Sequence, residues 1–183
     1  MKKKAVAVVM TAVMALGMVS AVSVQAGIED KTLIVGFDAE YPPYGYMDEN
    51  GEYTGFDLEL AQAVCDLEGW ELEKKPINWD SKDMELNIDC IWNGFTMNGR
   101  EDDYTFSEPY VDNSQVIVVA DDSGIEKLTD LAGKTVGVQA ASAALDLLQS
   151  EEEGGQKELA DTFGALNEFA DYNTAFTELQ AGA

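Results

Sequence analysis

Short apolar runs alternate with helix-like segments along most of this chain. Thr32–Phe37 and Thr135–Gln139 have the length and residue types of buried strands. Residues 56–67 instead carry apolar side chains at helical spacing, and Gly69 supplies an end to that helix. Residues 70–77 alternate apolar and charged types, as half-exposed strands do. This alternation predicts an α/β fold with a mostly parallel sheet.

The remaining predicted elements continue the same alternation. Two prolines exclude helix from the aromatic segment 41–45, and the sequence Asp-Glu-Asn-Gly at 48–51 predicts a tight turn. The other predicted strands are 88–92, 116–120 and 166–169, and the other predicted helices are 82–86, 125–131, 142–149 and one that Asn173 caps and Gly182 ends.

The first 26 residues have the pattern of a secretory signal peptide. Three lysines at 2–4 precede an apolar run at 5–19, and Val24 and Ala26 are the small residues expected before a cleavage site. A membrane anchor is the alternative that the sequence leaves open. No cysteine follows the apolar run, so a lipid attachment point is not expected. The predicted location is therefore periplasmic or secreted.

The composition excludes several classes of function. The chain has 35 Asp and Glu, 11 Lys and Arg, and no His, giving a formal charge of −24. Without His, Ser-His-Asp and Cys-His catalysis and nearly all catalytic zinc sites are excluded. Such an acidic chain is not expected to bind nucleic acid. Cys65 and Cys90 are compatible with one disulfide or with two unpaired core thiols. No metal and no cofactor is predicted.

The most informative candidate binding residue is Arg100, the sole arginine. Ligands of α/β sheets bind beyond the carboxyl ends of strands, and Arg100 follows such a position. Its planar guanidinium matches a carboxylate, while Gly94 allows close backbone approach and Thr96 offers a hydroxyl. The alternative is a structural ion-pair partner. Ser142 begins a helix, where it is either part of an anion site with the N–H of Ala143 or an ordinary N-cap.

Six stretches of the sequence together resemble the extracellular solute-binding proteins of amino-acid ABC transporters, solute-binding family 3. They are LIVGFD with YPPY at 33–44, GEYTGFD at 51–57, IDCIWNGFT at 88–96, Arg100, FSEPY at 106–110 and LAGKTVGVQ at 131–139. The resemblance implies the two-lobe type 2 periplasmic-binding-protein (Venus-flytrap) fold. Residues 27–115 would form the first lobe and residues 116–183 an incomplete second lobe.

The resemblance also implies roles for individual residues. Arg100 would clamp the α-carboxylate of an amino acid, helped by Thr96 and the backbone of Gly94. From the second lobe, Ser142 and Ala143 would complete the carboxylate cradle. The other implied site residues are Asn93 at the pocket edge, Tyr41 and Trp79 beside the ligand side chain, and Asp38 within reach of it.

The sequence departs from the family pattern in three places. The connection before Ile88 is shorter than usual, which makes the register of Trp79 less secure. The stretch from Met97 to Arg100 is also shorter, although Arg100 keeps its spacing to Phe106 and Ser107. The chain also stops at residues 181–183, where the family continues with a strand whose Asp binds the ligand ammonium group. We therefore expect lower stability and weaker binding than in a longer relative, with an unpaired apolar sheet edge in the second lobe.

The predicted function is capture of a free amino acid by lobe closure and its delivery to a membrane permease, by a monomer that is not an enzyme. One alternative is a dehydratase of prephenate-like substrates on the same scaffold, using Asp38 or Glu40. Another is a ligand-sensing domain, which would need a transmembrane helix. The sequence does not identify the amino acid.

Overall fold

The computed structural model describes residues 31–84 and 87–182, so the predicted signal peptide lies outside the described residues. In chain order the strands are β1 (Thr32–Phe37), β2 (Glu40–Tyr41), β3 (Gly45–Met47), β4 (Tyr53–Thr54), β5 (Glu71–Pro76), β6 (Cys90–Ile91), β7 (Thr135–Gln139) and β8 (Ala165–Phe169). The α-helices are α1 (Phe56–Glu68), α2 (Ala143–Gln149), α3 (Lys157–Ala160) and α4 (Tyr172–Ala181). Two short 3₁₀ helices span Trp79–Met84 and Leu128–Leu131. We call the part from β1 to Tyr104, which includes the loop that follows β6, the first lobe, and the part from Leu128–Leu131 to α4 the second lobe.

The first lobe is built on a parallel sheet with β1 at its centre. Strand β5 pairs with β1 along its full length, from Thr32 opposite Glu71 to Phe37 opposite Pro76, and β6 pairs on the other side. A central strand is covered on both faces, which explains why β1 is a continuous apolar run. Its buried side chains pack against α1 in a core made by Leu33, Val35, Phe37, Leu58, Ala61 and Cys65.

Helix α1 begins and ends at glycines because both positions need a backbone that other residues rarely adopt. Gly55 precedes the helix with φ 127°, and a Cβ there would lie 2.3 Å from the carbonyl oxygen of Tyr44. Gly69 ends the helix in the left-handed conformation, and the chain then enters β5. The predicted helix at 56–67 and its glycine end are confirmed.

A small antiparallel sheet, β2–β3–β4, projects from the carboxyl end of β1. The turn between β3 and β4 is the predicted one: the Asp48 carboxylate accepts the backbone N–H groups of Asn50 and Glu52 at 2.9 Å each. Asx turns of this kind are favoured by Asp. This sheet places Tyr41 beside the end of β1.

The second lobe has a parallel pair, β7 and β8, in the register Thr135 opposite Ala165 to Gln139 opposite Phe169. Both predicted strands are therefore confirmed. Helix α2 follows β7, and helix α4 follows β8. Helix α4 is capped by Asp171, whose Oδ1 accepts the Thr174 N–H at 2.7 Å, and the predicted Asn173 cap is wrong. A carboxylate at this position also interacts favourably with the helix dipole. Helix α3 was not predicted.

The predicted strand at 116–120 is wrong. These residues form no strand, and Val116, Ile117 and Val118 are exposed by 75%, 40% and 52%. Apolar, β-branched side chains favour an extended chain, but a strand also needs a neighbour to take its backbone hydrogen bonds. No described strand runs beside this segment.

Other predicted elements are shorter than the sequence indicated. The strand predicted at 88–92 is reduced to β6, because the Asp89 carboxylate accepts the Ile34 N–H at 2.8 Å in place of a ladder bond. The helices predicted at 82–86 and 125–131 are replaced by the two 3₁₀ turns, and residues 85 and 86 lie outside the described ranges.

No helix or strand marks the predicted lobe boundary at 115/116, which stays a prediction. Among the described residues, no helix has the length and apolarity needed to span a bilayer.

The segment between the lobes is tied to the first lobe by a buried carboxylate. Asp57, in the first turn of α1, is fully buried, and its Oδ1 accepts the Tyr110 hydroxyl at 2.8 Å. Burial raises the pKa of Asp57, and the Tyr110 hydrogen bond opposes that change. This hydroxyl therefore offsets part of the cost of burying the carboxylate.

We predict that Tyr110→Phe lowers the free energy of unfolding by about 1–3 kcal/mol, the usual cost of leaving a buried polar group without its partner. Urea denaturation measures the change. Tyr46→Phe is the matched control, because the Tyr46 hydroxyl makes no hydrogen bond to the described residues. Equal stability of the Tyr110→Phe and Tyr46→Phe proteins would contradict the prediction.

Candidate functional site

A cavity of about 720 Å³ lies between the two lobes. The loops after the parallel strands β1 and β6 of the first lobe reach the cavity, and β7 of the second lobe lines it along its length. Every predicted site residue lines this cavity: Asp38, Tyr41, Trp79, Asn93, Gly94, Thr96, Arg100, Ser142 and Ala143. The structure thus brings the whole predicted set together, while ligand binding by these residues stays a prediction.

The loop after β6 forms one wall of the cavity. Gly94 passes so close to Tyr41 that a Cβ at this position would lie 2.9 Å from its Cε1 atom. Asn93, in the same wall, is 4% exposed. Thr96 Oγ1 accepts a hydrogen bond from the side-chain amide of Asn113 at 3.1 Å. Glycine is required at 94 for this close approach, which agrees with the reason given from the sequence.

The Arg100 guanidinium lies in the cavity and contacts the second lobe. Its Nη2 donates to Asp146 Oδ2 at 2.7 Å and to the Ala141 carbonyl oxygen at 3.2 Å. The guanidinium carbon also lies 5.0 Å from the centre of the Phe95 ring, and the side chain is 12% exposed. In this structure Arg100 is an ion-pair partner, and this pair crosses the gap between the lobes.

Lys82 is a second cation at the same contact, and it was not among the predicted site residues. Its Nζ donates to the carbonyl oxygen of Ala141 at 3.2 Å and lies 5.4 Å from the centre of the Trp79 ring. The residue is 6% exposed, and this burial lowers the pKa of Lys82. The sequence around Lys82 does not indicate that this charged side chain is buried, because its burial depends on contact with the second lobe.

The carbonyl oxygen of Ala141 accepts hydrogen bonds from both cations, and the backbone of Ala141 has an unusual conformation. Its φ is 51°, in the left-handed region that costs free energy for any residue with a Cβ. The next residue, Ser142, caps α2: its Oγ accepts the Leu145 N–H at 3.2 Å. The N-cap role of Ser142 is thus confirmed, while an anion site formed with the N–H of Ala143 stays a prediction.

A buried polar pair joins the lobes on the other side of the cavity. Gln139 Nε2 donates to Asp38 Oδ2 at 2.8 Å, and the backbone N–H of Glu40 donates to Asp38 Oδ1 at 2.9 Å. Burial raises the pKa of Asp38, and both hydrogen bonds oppose that change. A third contact at this edge is made by Asn173, whose side-chain amide donates to Glu40 Oε2 at 2.9 Å.

Aromatic rings close two ends of the cavity. Tyr41 stacks on Tyr44 with ring centres 5.6 Å apart, and Tyr172 from α4 lies 6.2 Å from Tyr41. Trp79 is 8% exposed and meets the Phe95 ring edge to face at 5.4 Å. The positions of Tyr41 and Trp79 are consistent with the role that the resemblance gave them beside a ligand side chain.

The structure decides the state of the two cysteines. Cys65 is buried and Cys90 half-buried, and both are unpaired thiols. Burial raises the pKa of Cys90 to about 11, so this thiol is protonated at neutral pH.

Within residues 31–84 and 87–182, no three Asp, Glu or Cys side chains are grouped to hold a metal ion.

We predict that Gln139→Leu destabilises the protein by about 1–3 kcal/mol at neutral pH, because it leaves Oδ2 of the buried Asp38 carboxylate without its donor. The pKa of Asp38 is already raised in the folded protein, so the protonated form is favoured by folding. The loss of the Gln139 donor should raise this folded-state pKa further, so the penalty should grow as the pH rises through the raised pKa of Asp38, above its usual value of about 3.9. It should disappear below that folded-state pKa, where the carboxyl is protonated in both proteins. Urea denaturation at several pH values tests this, and a penalty that is equal at all pH values would contradict it.

Comparison with known proteins reveals relatives that cover most of this chain. The arginine-binding extracellular protein ArtP of Bacillus subtilis is 37% identical over 142 residues, which is 75% of this chain and 52% of that protein. The L-cystine-binding protein TcyJ of Escherichia coli is 36% identical over 141 residues, 69% of this chain and 53% of that protein. The chain thus spans about half the length of the curated relatives it matches.

A solved structure confirms the predicted fold class. It is a substrate-binding protein of an ABC uptake transporter from Streptococcus pneumoniae with bound histidine. The TM-score is 0.76 at 34% identity, over 82% of this chain and 62% of that chain. The fold is therefore the α/β type 2 periplasmic-binding-protein fold, with the cavity between its two lobes.

A family model described as bacterial extracellular solute-binding proteins, family 3, matches residues 33–180. All of the predicted site residues lie within this range. With the relatives and the fold in agreement, the chain belongs to the family 3 extracellular solute-binding proteins.

Proposed function

We propose that this protein binds a free amino acid between its lobes, outside the cytoplasm, and delivers it to the membrane permease of an ABC transporter. The single observation that carries the proposal is the position of the Arg100 guanidinium, which lines the cavity and contacts the second lobe. Matching proteins named for arginine and cystine, and one solved with bound histidine, support an amino acid as the ligand class.

The carboxylate of the ligand is assigned to Arg100. Charge-assisted hydrogen bonds contribute roughly 1.5–3 kcal/mol each, and a guanidinium offers two parallel donors to one carboxylate. Thr96 and the Gly94 backbone line the same part of the cavity. To change an open-to-closed ratio from 99:1 to 1:99 takes about 5.5 kcal/mol of differential binding. Arg100 with two or three further hydrogen bonds supplies an amount of this size.

The side chain of the ligand is assigned to the end of the cavity formed by Tyr41, Asp38 and Glu40. Two carboxylates at this end disfavour a ligand with a second negative charge. Neutral polar and cationic side chains fit the same surroundings. We therefore expect the protein to discriminate against aspartate and glutamate.

Binding without turnover is part of the proposal. A thermal-shift screen of the common amino acids, followed by calorimetric titration, identifies the ligand. Chromatography of the recovered ligand should show an unchanged amino acid. Turnover of prephenate would instead support the dehydratase alternative.

We predict that Arg100→Ala abolishes amino-acid binding and that Arg100→Lys weakens it at least about tenfold, because an ammonium cannot form the planar two-donor contact. Isothermal titration measures both. Lys157→Ala is the matched control, since Lys157 forms an exposed ion pair with Asp161 within one helical turn and does not line the cavity. Unchanged affinity of the Arg100→Ala protein would refute the assignment of Arg100.

A further inference from the structure

The ion pair between Arg100 and Asp146 joins the lobes at the position assigned to the ligand carboxylate. Nη2 of Arg100 lies 2.7 Å from Asp146 Oδ2, the shortest of its two contacts with the second lobe. Asp146 belongs to the first turn of α2, four residues after the Ser142 cap. The geometry is that of a direct, charge-assisted hydrogen bond.

The carboxylate of Asp146 offers Arg100 the same chemistry as the carboxylate of an amino acid. Both are planar, singly charged acceptors, and both favour the same face of a guanidinium. The Nη2 atom already donates to Asp146 and to Ala141, so it has no N–H left for a third acceptor. A ligand carboxylate that uses Nη2 must therefore displace one of these two oxygens.

Of the two second-lobe acceptors, Asp146 is the one that can leave at low cost. Its side chain is 61% exposed, so a released carboxylate is hydrated at once. The Ala141 carbonyl oxygen also accepts a hydrogen bond from the buried ammonium of Lys82. If this oxygen moved away, the Lys82 ammonium would be left without an acceptor. Arg100, only 12% exposed, stays in place while Asp146 exchanges.

We propose that Asp146 is an internal competitor for Arg100, which holds the lobes together without ligand and lowers the affinity for the amino acid that replaces it. This inference rests on the proposed function, because it needs a ligand carboxylate at Arg100. Asp146 then sets how tightly the protein binds, although the sequence pattern does not mark it as a site residue.

The test compares Asp146→Asn with Asp161→Asn. The two aspartates are 61% and 64% exposed, and each forms one ion pair, but Asp161 pairs with Lys157 outside the cavity. The twenty common L-amino acids and L-cystine are titrated into each protein by calorimetry. We expect Asp146→Asn to lower Kd by about three- to tenfold, the scale of a partly exposed ion pair, and Asp161→Asn to leave it unchanged.

A second readout does not depend on the choice of ligand. Arg100 is the sole arginine, so a ¹⁵N-labelled sample gives one arginine Nε–Hε cross-peak in its NMR spectrum. In the absence of ligand, Asp146→Asn should move this peak and speed its hydrogen exchange, and Asp161→Asn should do neither. The affinity gain should also shrink in high salt, because salt screens the exposed pair that it removes.

The outcomes separate this inference from the proposed function. If an amino acid binds the wild type and Asp146→Asn binds it equally or more weakly, the competitor role is overturned and the proposed function stands. If no amino acid binds any of the three proteins, both are overturned, whatever the cross-peak does. An unmoved cross-peak in ligand-free Asp146→Asn overturns the competitor role alone.

Discussion

One backbone oxygen carries the main contact between the lobes. The carbonyl of Ala141 accepts from Lys82 and from Arg100 at 3.2 Å each. Both cations come from the first lobe and are largely shielded from water, so each needs an acceptor to offset its lost hydration. The strained left-handed backbone of Ala141 is tolerated because two charge-assisted hydrogen bonds depend on it.

The rest of the interface is also polar. Asp38 meets Gln139, Glu40 meets Asn173, and apolar side chains contribute mainly through the tyrosines around Tyr41. Hydrogen bonds of this kind can be exchanged for bonds to water or to a ligand with a small net change in free energy. An interface built in this way suits the function proposed above, in which the lobes open and close around a small solute, since a large apolar contact would fix them in one state.

The fold was predictable wherever the sequence pattern is local. Strand β1 and strand β7 are apolar runs of the right length, and α1 is bounded by glycines whose backbone conformations have no good substitute. The prediction failed at residues 116–120, because a strand depends on a neighbour that no local pattern reveals. It failed again at Asn173, because the choice between two candidate cap residues, Asp171 and Asn173, depends on what each contacts in the fold.

The sequence by itself determined the fold class, the family, and nine of the residues that line the cavity. Strand ends indicated the positions of Arg100 and Ser142, because ligands of α/β sheets bind where strands end, and the family resemblance supplied the others. Only the tertiary structure decided that Arg100 is paired with Asp146, that Lys82 is buried beside it, and that the two cysteines are unpaired. Each of these depends on distances between segments that are far apart in the chain, and such distances are set by packing rather than by spacing along the sequence.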